Sequence, residues 1–286
     1  MHQPKPFEEL TLADNFLFCQ VMKCEPICRH FLESLLDIRL QELQYVAKQS
    51  DLTDSLLYRG NVLDIRAKDA VGNFYDIEMQ NKPLDYMDKR LRAYAAAMDR
   101  EMLRKGDKVE NLPQNIVIAV CSFDPGERGL ARYEVWKQWG DRDMGIALDY
   151  DDGAHVYYLN TTYTTANAPE DILDFLQIVK GNPARTDFGT VVNTKLIEVK
   201  NDNDIKEAYM TVEEYAYDRA YIARKEGRAE GRAEGREEGL AEGREEAIRQ
   251  SAAALQKLGM PMEQIAAVFE ITVEELQKIL QEPKKD

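Results

Sequence analysis

The stretch from Asn61 to Pro83, NVLDIRAKDAVGNFYDIEMQNKP, restricts the fold more than any other part of the chain. It reads as two strands around a turn signal, AVGN. Side chains alternate along a strand, so Phe74, Asp76, Glu78, Gln80 and Lys82 fall on one face and Tyr75, Ile77 and Met79 on the other. A three-residue hairpin loop containing a glycine is ordinary. Placed at Ala70–Gly72 or at Val71–Asn73, it brings Asp64 onto the face of Glu78 and Gln80. Acids on a solvated sheet face are common. Two carboxylates this close, however, disfavour joint ionisation unless a cation lies between them. Hard oxygen donors of this kind suit Mg2+ or Mn2+, and such an ion can activate water and neutralise charge on a phosphodiester.

The flanking segments supply a frame for that hairpin. LTLADNFLFCQVMKCEPICRHFLESLLDI has helical spacing, and Pro26 is expected to divide it into two helices. LQYVAKQS is a candidate first strand. After the hairpin, LDYMDKRLRAYAAAMDREMLRKG carries an apolar stripe of Met87, Leu91, Tyr94, Met98 and Met102. Asp85 is expected to cap this helix, and Lys105 followed by Gly106 to end it. NIVIAVCSF suits a strand buried on both faces, and DDGAHVYYLNTTY reads as a further strand. Beyond Ala168 the pattern is mostly helical. The order α–β–β–β–α–β argues for an α/β core with a mixed sheet.

The chain of 286 residues carries a net charge of −15, which excludes broad, nonspecific coating of nucleic acid. Between Lys82 and Lys108 the sign reverses, with eight bases facing five acids, so Lys89, Arg92 and Arg104 are candidate phosphate contacts. No run approaches the apolar length of a membrane span. The opening MHQPKPFEELTLADNF lacks the basic-then-apolar pattern of a secretory leader, and four cysteines in a chain this long do not suggest a disulfide framework. A cytoplasmic protein without a membrane partner is expected.

The last third changes character. Gly227, Gly231, Gly235, Gly239 and Gly243 recur at a strict four-residue step. In helical form this repeat stacks like charges on like, and it reads either as a solvated linker or as a helix that needs a partner. A homo-oligomer joined through this tail is one outcome. The final segment looks like three short helices, with Thr272 and Glu275 as a capping box. It resembles a small helix-turn-helix whose would-be recognition helix opens on Glu274 and Glu275, which phosphates would repel, so packing or association is favoured over DNA reading. The expected division is an α/β domain over 1–200, a helical linker over 201–247 and a small helical module over 248–286.

LTLADNFLFCQVM, LDIRAKDAVGNFYDIEMQ, KRLRAYAAAMDREMLRKGD and VIAVCSFDPGERG, in that order, resemble the Rpn family of recombination-promoting nucleases and transposases, within the PD-(D/E)XK nuclease superfamily. The resemblance covers roughly Leu10 to Asn160. It implies an α/β, restriction-endonuclease-like core with a mixed central sheet flanked by helices. The implied activity is a Mg2+- or Mn2+-dependent endonuclease that acts on DNA and promotes recombination or transposition. Asp64 and Glu78 match the metal-binding acids, with the Met79 backbone carbonyl as a further ligand. Gln80 stands where most of the superfamily has lysine. Arg90 and Tyr94 match an Arg-x3-Tyr pattern, and Asp14 falls where some members place an additional acid. A neutral amide at position 80 orients water but does not neutralise developing negative charge. That leaves Lys82 or Arg90 to supply the charge, or else a catalytically weak nucleic-acid-binding or oligomeric scaffold on a nuclease fold.

Overall fold

The computed structural model describes residues 6–45, 65–103, 106–141 and 143–281. The chain forms two compact units, residues 1–210 and 211–286.

The first unit opens with two helices, α1 (Asn15–Met22) and α2 (Glu25–Leu36), with Pro26 in the first turn of α2. Pro26 separates them as expected, because proline fits a first turn, where its missing N–H has no intrahelical partner. The Asp14 side chain caps α1 by accepting from the Phe16 and Leu17 amides at 3.0 and 3.2 Å. Then comes a meander of β1 (Leu43–Tyr45), β2 (Ile65–Asp69) and β3 (Phe74–Gln80), followed by α3 (Met87–Met102) and β4 (Asn115–Cys121). Next come β5 (Arg132–Glu134), a two-stranded excursion of β6 (Gln138–Asp141) and β7 (Ile146–Asp149), and β8 (Ala154–Asn160). Helices α4 (Glu170–Val179) and α5 (Asp187–Asn201) complete the layer.

The main sheet runs β1-β2-β3-β4-β8-β5. The β1–β2, β2–β3 and β5–β8 pairs are antiparallel, while β3–β4 and β4–β8 are parallel, so the sheet is mixed. The β2–β3 pairing matches Ile65 with Ile77 and Arg66 with Asp76, and the connection is the three-residue loop Ala70–Gly72, the first of the two anticipated. Two features hold that loop. Gly72 takes a φ of +100°, a region that L side chains rarely adopt. The Asp69 carboxylate accepts from the Val71 and Asn73 amides and from the Tyr75 hydroxyl at 2.9–3.0 Å.

Helix α3 lays its stripe over the sheet. Met87, Leu91 and Met98 pack with Phe74, Val117, Ala119, Cys121 and Tyr158, with Tyr94 and Met102 alongside. Two expectations for this helix need correction. Its N-cap is Tyr86, with no side-chain cap, so Asp85 does not cap it. It ends at Met102 rather than at Lys105. The strands β5, β6 and β7 were not anticipated either.

In the second unit the glycine repeat is helical, within α6 (Asn203–Lys257). The end of α6, α7 (Met262–Val268) and α8 (Val273–Gln281) share a small core of Ile248, Ala252, Ile265, Ala266 and Leu276. The capping box is present: the Thr272 amide donates to Glu275 at 2.8 Å and the Glu275 amide to the Thr272 hydroxyl at 3.1 Å. No described helix is long and apolar enough to cross a membrane.

Candidate active site at the end of strand β3

Every residue of β3 is buried, including its polar ones: Asp76 and Glu78 are 0% and 1% exposed, and Gln80 is 7%. The solvated-face reading of these acids is therefore wrong. β3 has strands on both sides, and the face carrying Asp76, Glu78 and Gln80 is the one α3 covers. The register sets the neighbours. Glu78 lies beside Ala119 and Gln80 beside Cys121, and the small Ala119 side chain leaves room for the Glu78 carboxylate. The Gln80 amide Nε2 donates to Glu78 Oε2 at 2.8 Å. Arg66 Nε lies 3.7 Å from Asp76 Oδ1, directly across the β2–β3 ladder.

Burial is costly for a carboxylate unless hydrogen bonds and opposite charge surround it. The guanidinium of Arg66 and the amide of Gln80 contribute to that environment. The charge of Glu78 reaches its neighbours. It adds to the effect of burial, the main cause, in pushing the Cys121 thiol well above its ordinary range, so Cys121 stays a thiol and is no candidate nucleophile. The Tyr158 hydroxyl is likewise pushed up, first by burial, then by its bond to Asp88, with Glu78 contributing further.

The other expected residues divide by position. Arg90 and Tyr94 lie one turn apart on α3; Arg90 Nε donates to the Tyr94 hydroxyl at 2.7 Å, which orients the guanidinium. Lys89 and Arg92 are exposed on the same helix. Asp14 is partly occupied as the α1 cap, and burial raises its carboxyl against the two amide bonds that lower it. Its neighbourhood is tied to the end of β3, because the Asn81 side chain donates to Ala13 O at 2.7 Å and to Asn15 Oδ1 at 2.9 Å. Lys82 departs from its expected place. β3 stops at Gln80, so alternation does not carry on to Lys82, which is exposed in the following loop. The Gln80 carbonyl accepts from the Ser122 amide at 2.9 Å, so strand alternation turns the Met79 carbonyl away from β4. Asp64 and Arg104 lie outside the described residues. Among those that are described, no three His, Cys, Asp or Glu side chains converge on one metal-sized position.

Sequence reasoning missed Arg66 as the partner of Asp76. The signal was available, since the register that aligns the hairpin also places residue 66 opposite residue 76. It missed equally the carboxylates and rings that surround Tyr158, which come from three separate segments.

Comparison with known proteins now adds to the geometry. Residues 16–135 match the family profile described as PD-(D/E)XK nuclease family transposase, which bears out the resemblance over that segment. The match spans α1 through β5 and so contains the whole β2–β3–α3–β4 site. No curated protein and no solved structure matches the chain.

Proposed function

We propose that this PD-(D/E)XK nuclease-type segment hydrolyses phosphodiester bonds in DNA as a divalent-metal-dependent endonuclease, making breaks that promote recombination or transposition. The observation that carries the reading is Glu78: a carboxylate buried in the middle of β3, held by Gln80, on a strand whose pairing with β2 begins at Ile65↔Ile77. Asp64 directly precedes Ile65 in the chain and Glu78 directly follows Ile77. The proposal is that these two acids form one site.

The donor set suits a hard cation. Asp64, Glu78 and the Met79 carbonyl would hold Mg2+ or Mn2+, all through oxygen. When bound, such an ion supplies a more acidic water and offsets phosphate charge. The chain's own groups do the rest. The Gln80 amide donates to Glu78, which fixes the orientation of that carboxylate and leaves the amide oxygen as an acceptor for water. The Arg90 guanidinium, anchored on Tyr94, is the cation available to the phosphate where the superfamily's usual lysine is replaced by Gln80. Exposed Lys89 and Arg92, with Arg104, would follow the DNA backbone.

A scaffold reading has two observations in its favour. Gln80 is neutral, and Lys82 lies in a loop rather than on the strand. Nicking of supercoiled plasmid separates the two. Wild type should nick with Mg2+ or Mn2+ and stop on chelation. Asp64→Asn and Glu78→Gln should each lose about a hundredfold or more, and Gln80→Lys should retain or raise activity. Chelator-resistant cleavage that survives both acid substitutions would remove the site assignment. Failure of wild type with any divalent ion would move the reading to the scaffold.

A further inference from the structure

Beside the β3 site, within the first unit, lies a half-open cavity of about 320 Å³, the lower end of the range that takes small ligands. Its walls are aromatic: Phe123, Tyr133 and Tyr158 line it. Its polar groups are acids. Asp85 comes from the loop before α3, Asp88 from the first turn of α3, and Asp124 and Glu127 from the loop after β4; Glu134 of β5 also lines the cavity, but its carboxylate accepts from the Tyr157 hydroxyl on the sheet face opposite Tyr158. Among the described lining residues none is Lys, Arg or His.

Three considerations narrow what such a cavity accepts. The first is charge. The N-terminal end of α3 contributes about half a positive charge at most, against the four carboxylates of Asp85, Asp88, Asp124 and Glu127, so a phosphate or a carboxylate ligand is disfavoured. The second is spacing. Asp124 is turned toward its own loop, accepting from the Tyr133 hydroxyl and from the Gly126 and Gly129 amides, while Asp88 takes the Tyr158 hydroxyl. No three acids of the wall converge on a metal-sized position, so a single bare ion does not match it, whereas an elongated or branched cation can reach separated carboxylates. The third is the rings. Cations sit favourably over aromatic faces, with about 0.5–2 kcal/mol gained per contact, and the alkyl body of an organic cation gains further from apolar walls.

We propose that this cavity is a binding site for an organic cation with alkylammonium or guanidinium groups, either a free polyamine or a Lys or Arg side chain presented by a polypeptide. Its hydroxyl–carboxylate pairs, Tyr158 with Asp88 and Tyr133 with Asp124, hold the rings in place before the ligand arrives. The inference is independent of the nuclease reading, and its test uses binding rather than cleavage.

Isothermal titration of the full chain with spermidine, and separately with the blocked tripeptide acetyl-Gly-Arg-Gly-amide, measures it. The expectation is one saturable site per chain for at least one probe. Phe123→Ala should weaken it about tenfold. Asp85→Asn, at an exposed position outside the fold's core, should weaken it severalfold while leaving the melting temperature in place. Tighter binding of spermidine identifies a free polyamine as the ligand, and tighter binding of the tripeptide identifies a side chain. Mg2+ at the same charge concentration should compete only weakly. Unsaturable binding, binding unchanged by both substitutions, or displacement by Mg2+ as effective as by spermidine would reduce the cavity to part of the protein's general negative charge and overturn the proposal.

Discussion

In β3 all seven residues are buried, although three of them are Asp76, Glu78 and Gln80. In the ribbon formed by β6 and β7 every residue is exposed, although Trp139 and Leu148 are paired across it and each keeps 63% of its surface open to solvent. Residue type would leave Asp76, Glu78 and Gln80 in water and enclose Trp139 and Leu148. The difference lies in what surrounds each strand. β3 has a strand on either side and α3 over one face, so every side chain it carries is enclosed and its polar groups need partners. The ribbon is only two strands wide, and no described element covers it, so its apolar side chains have only each other. Trp139 meets Tyr150 edge to face at 5.2 Å. Such a ribbon holds its shape weakly alone. Polar groups inside and apolar groups outside are thus both consequences of neighbours, and the energetic stakes are far higher inside.

That asymmetry can be measured. The largest effect is expected at Arg66→Met, which leaves the Asp76 carboxylate buried without its guanidinium. Breaking a buried pair from one side costs about 3 kcal/mol or more, a fall in Tm of about ten degrees for a unit of this size. A shift under about two degrees would show that Asp76 is held by other groups and that β3 is less exacting than the comparison claims.

An intermediate effect is expected between the two extremes, at Asp124, a partly exposed carboxylate. Burial works to raise its carboxyl, but bonds from the Tyr133 hydroxyl and from loop amides outweigh it and hold the group below the usual carboxylate range. A depressed folded-state pKa means that the stabilisation is present above the unfolded value, near 4, and is lost as the pH falls through the folded value. Asp124→Ala should therefore cost about 1 kcal/mol near neutrality. The gap from wild type should close on acidification below about pH 4. Thermal melts across pH read it, and a gap that widens in acid would contradict the assignment.

The smallest effect is expected on the ribbon. Trp139→Ser and Leu148→Ser should each change stability by less than about 0.5 kcal/mol, as for surface positions generally, while raising solubility. A loss above about 2 kcal/mol from either in dilute solution would mean that the face is packed in the native protein and would collapse the contrast with β3.

Much of the site's frame was legible because it is local. The glycine-containing turn was legible as one of two three-residue loops, Ala70–Gly72 or Val71–Asn73, either of which puts residues 64, 78 and 80 on one face, and the structure takes the first. The stripe on α3 and the Thr272–Glu275 box are periodicities of three and four residues along one helix. Misreadings came where a pattern was carried past the element that supports it. Lys82 was placed by alternation beyond the end of β3, and Asp85 was given a capping role one residue outside the true N-cap. β5 to β7 escaped notice because Gly140, Gly145 and scattered aspartates interrupt any alternation there.

The sequence by itself determined which side chains share a face: Asp76, Glu78 and Gln80 on one side of β3, and Tyr75, Ile77 and Met79 on the other. That follows from the two-residue repeat of an extended chain. Only the tertiary structure decided that the acidic face lies beneath α3 rather than in water, and that Ala119 rather than a larger residue stands next to Glu78. Alternation is a property of one strand and acts over a few ångströms of chain. Enclosure depends on segments far apart in sequence arriving at the same place, and the cost of a buried carboxylate exists only once they have done so.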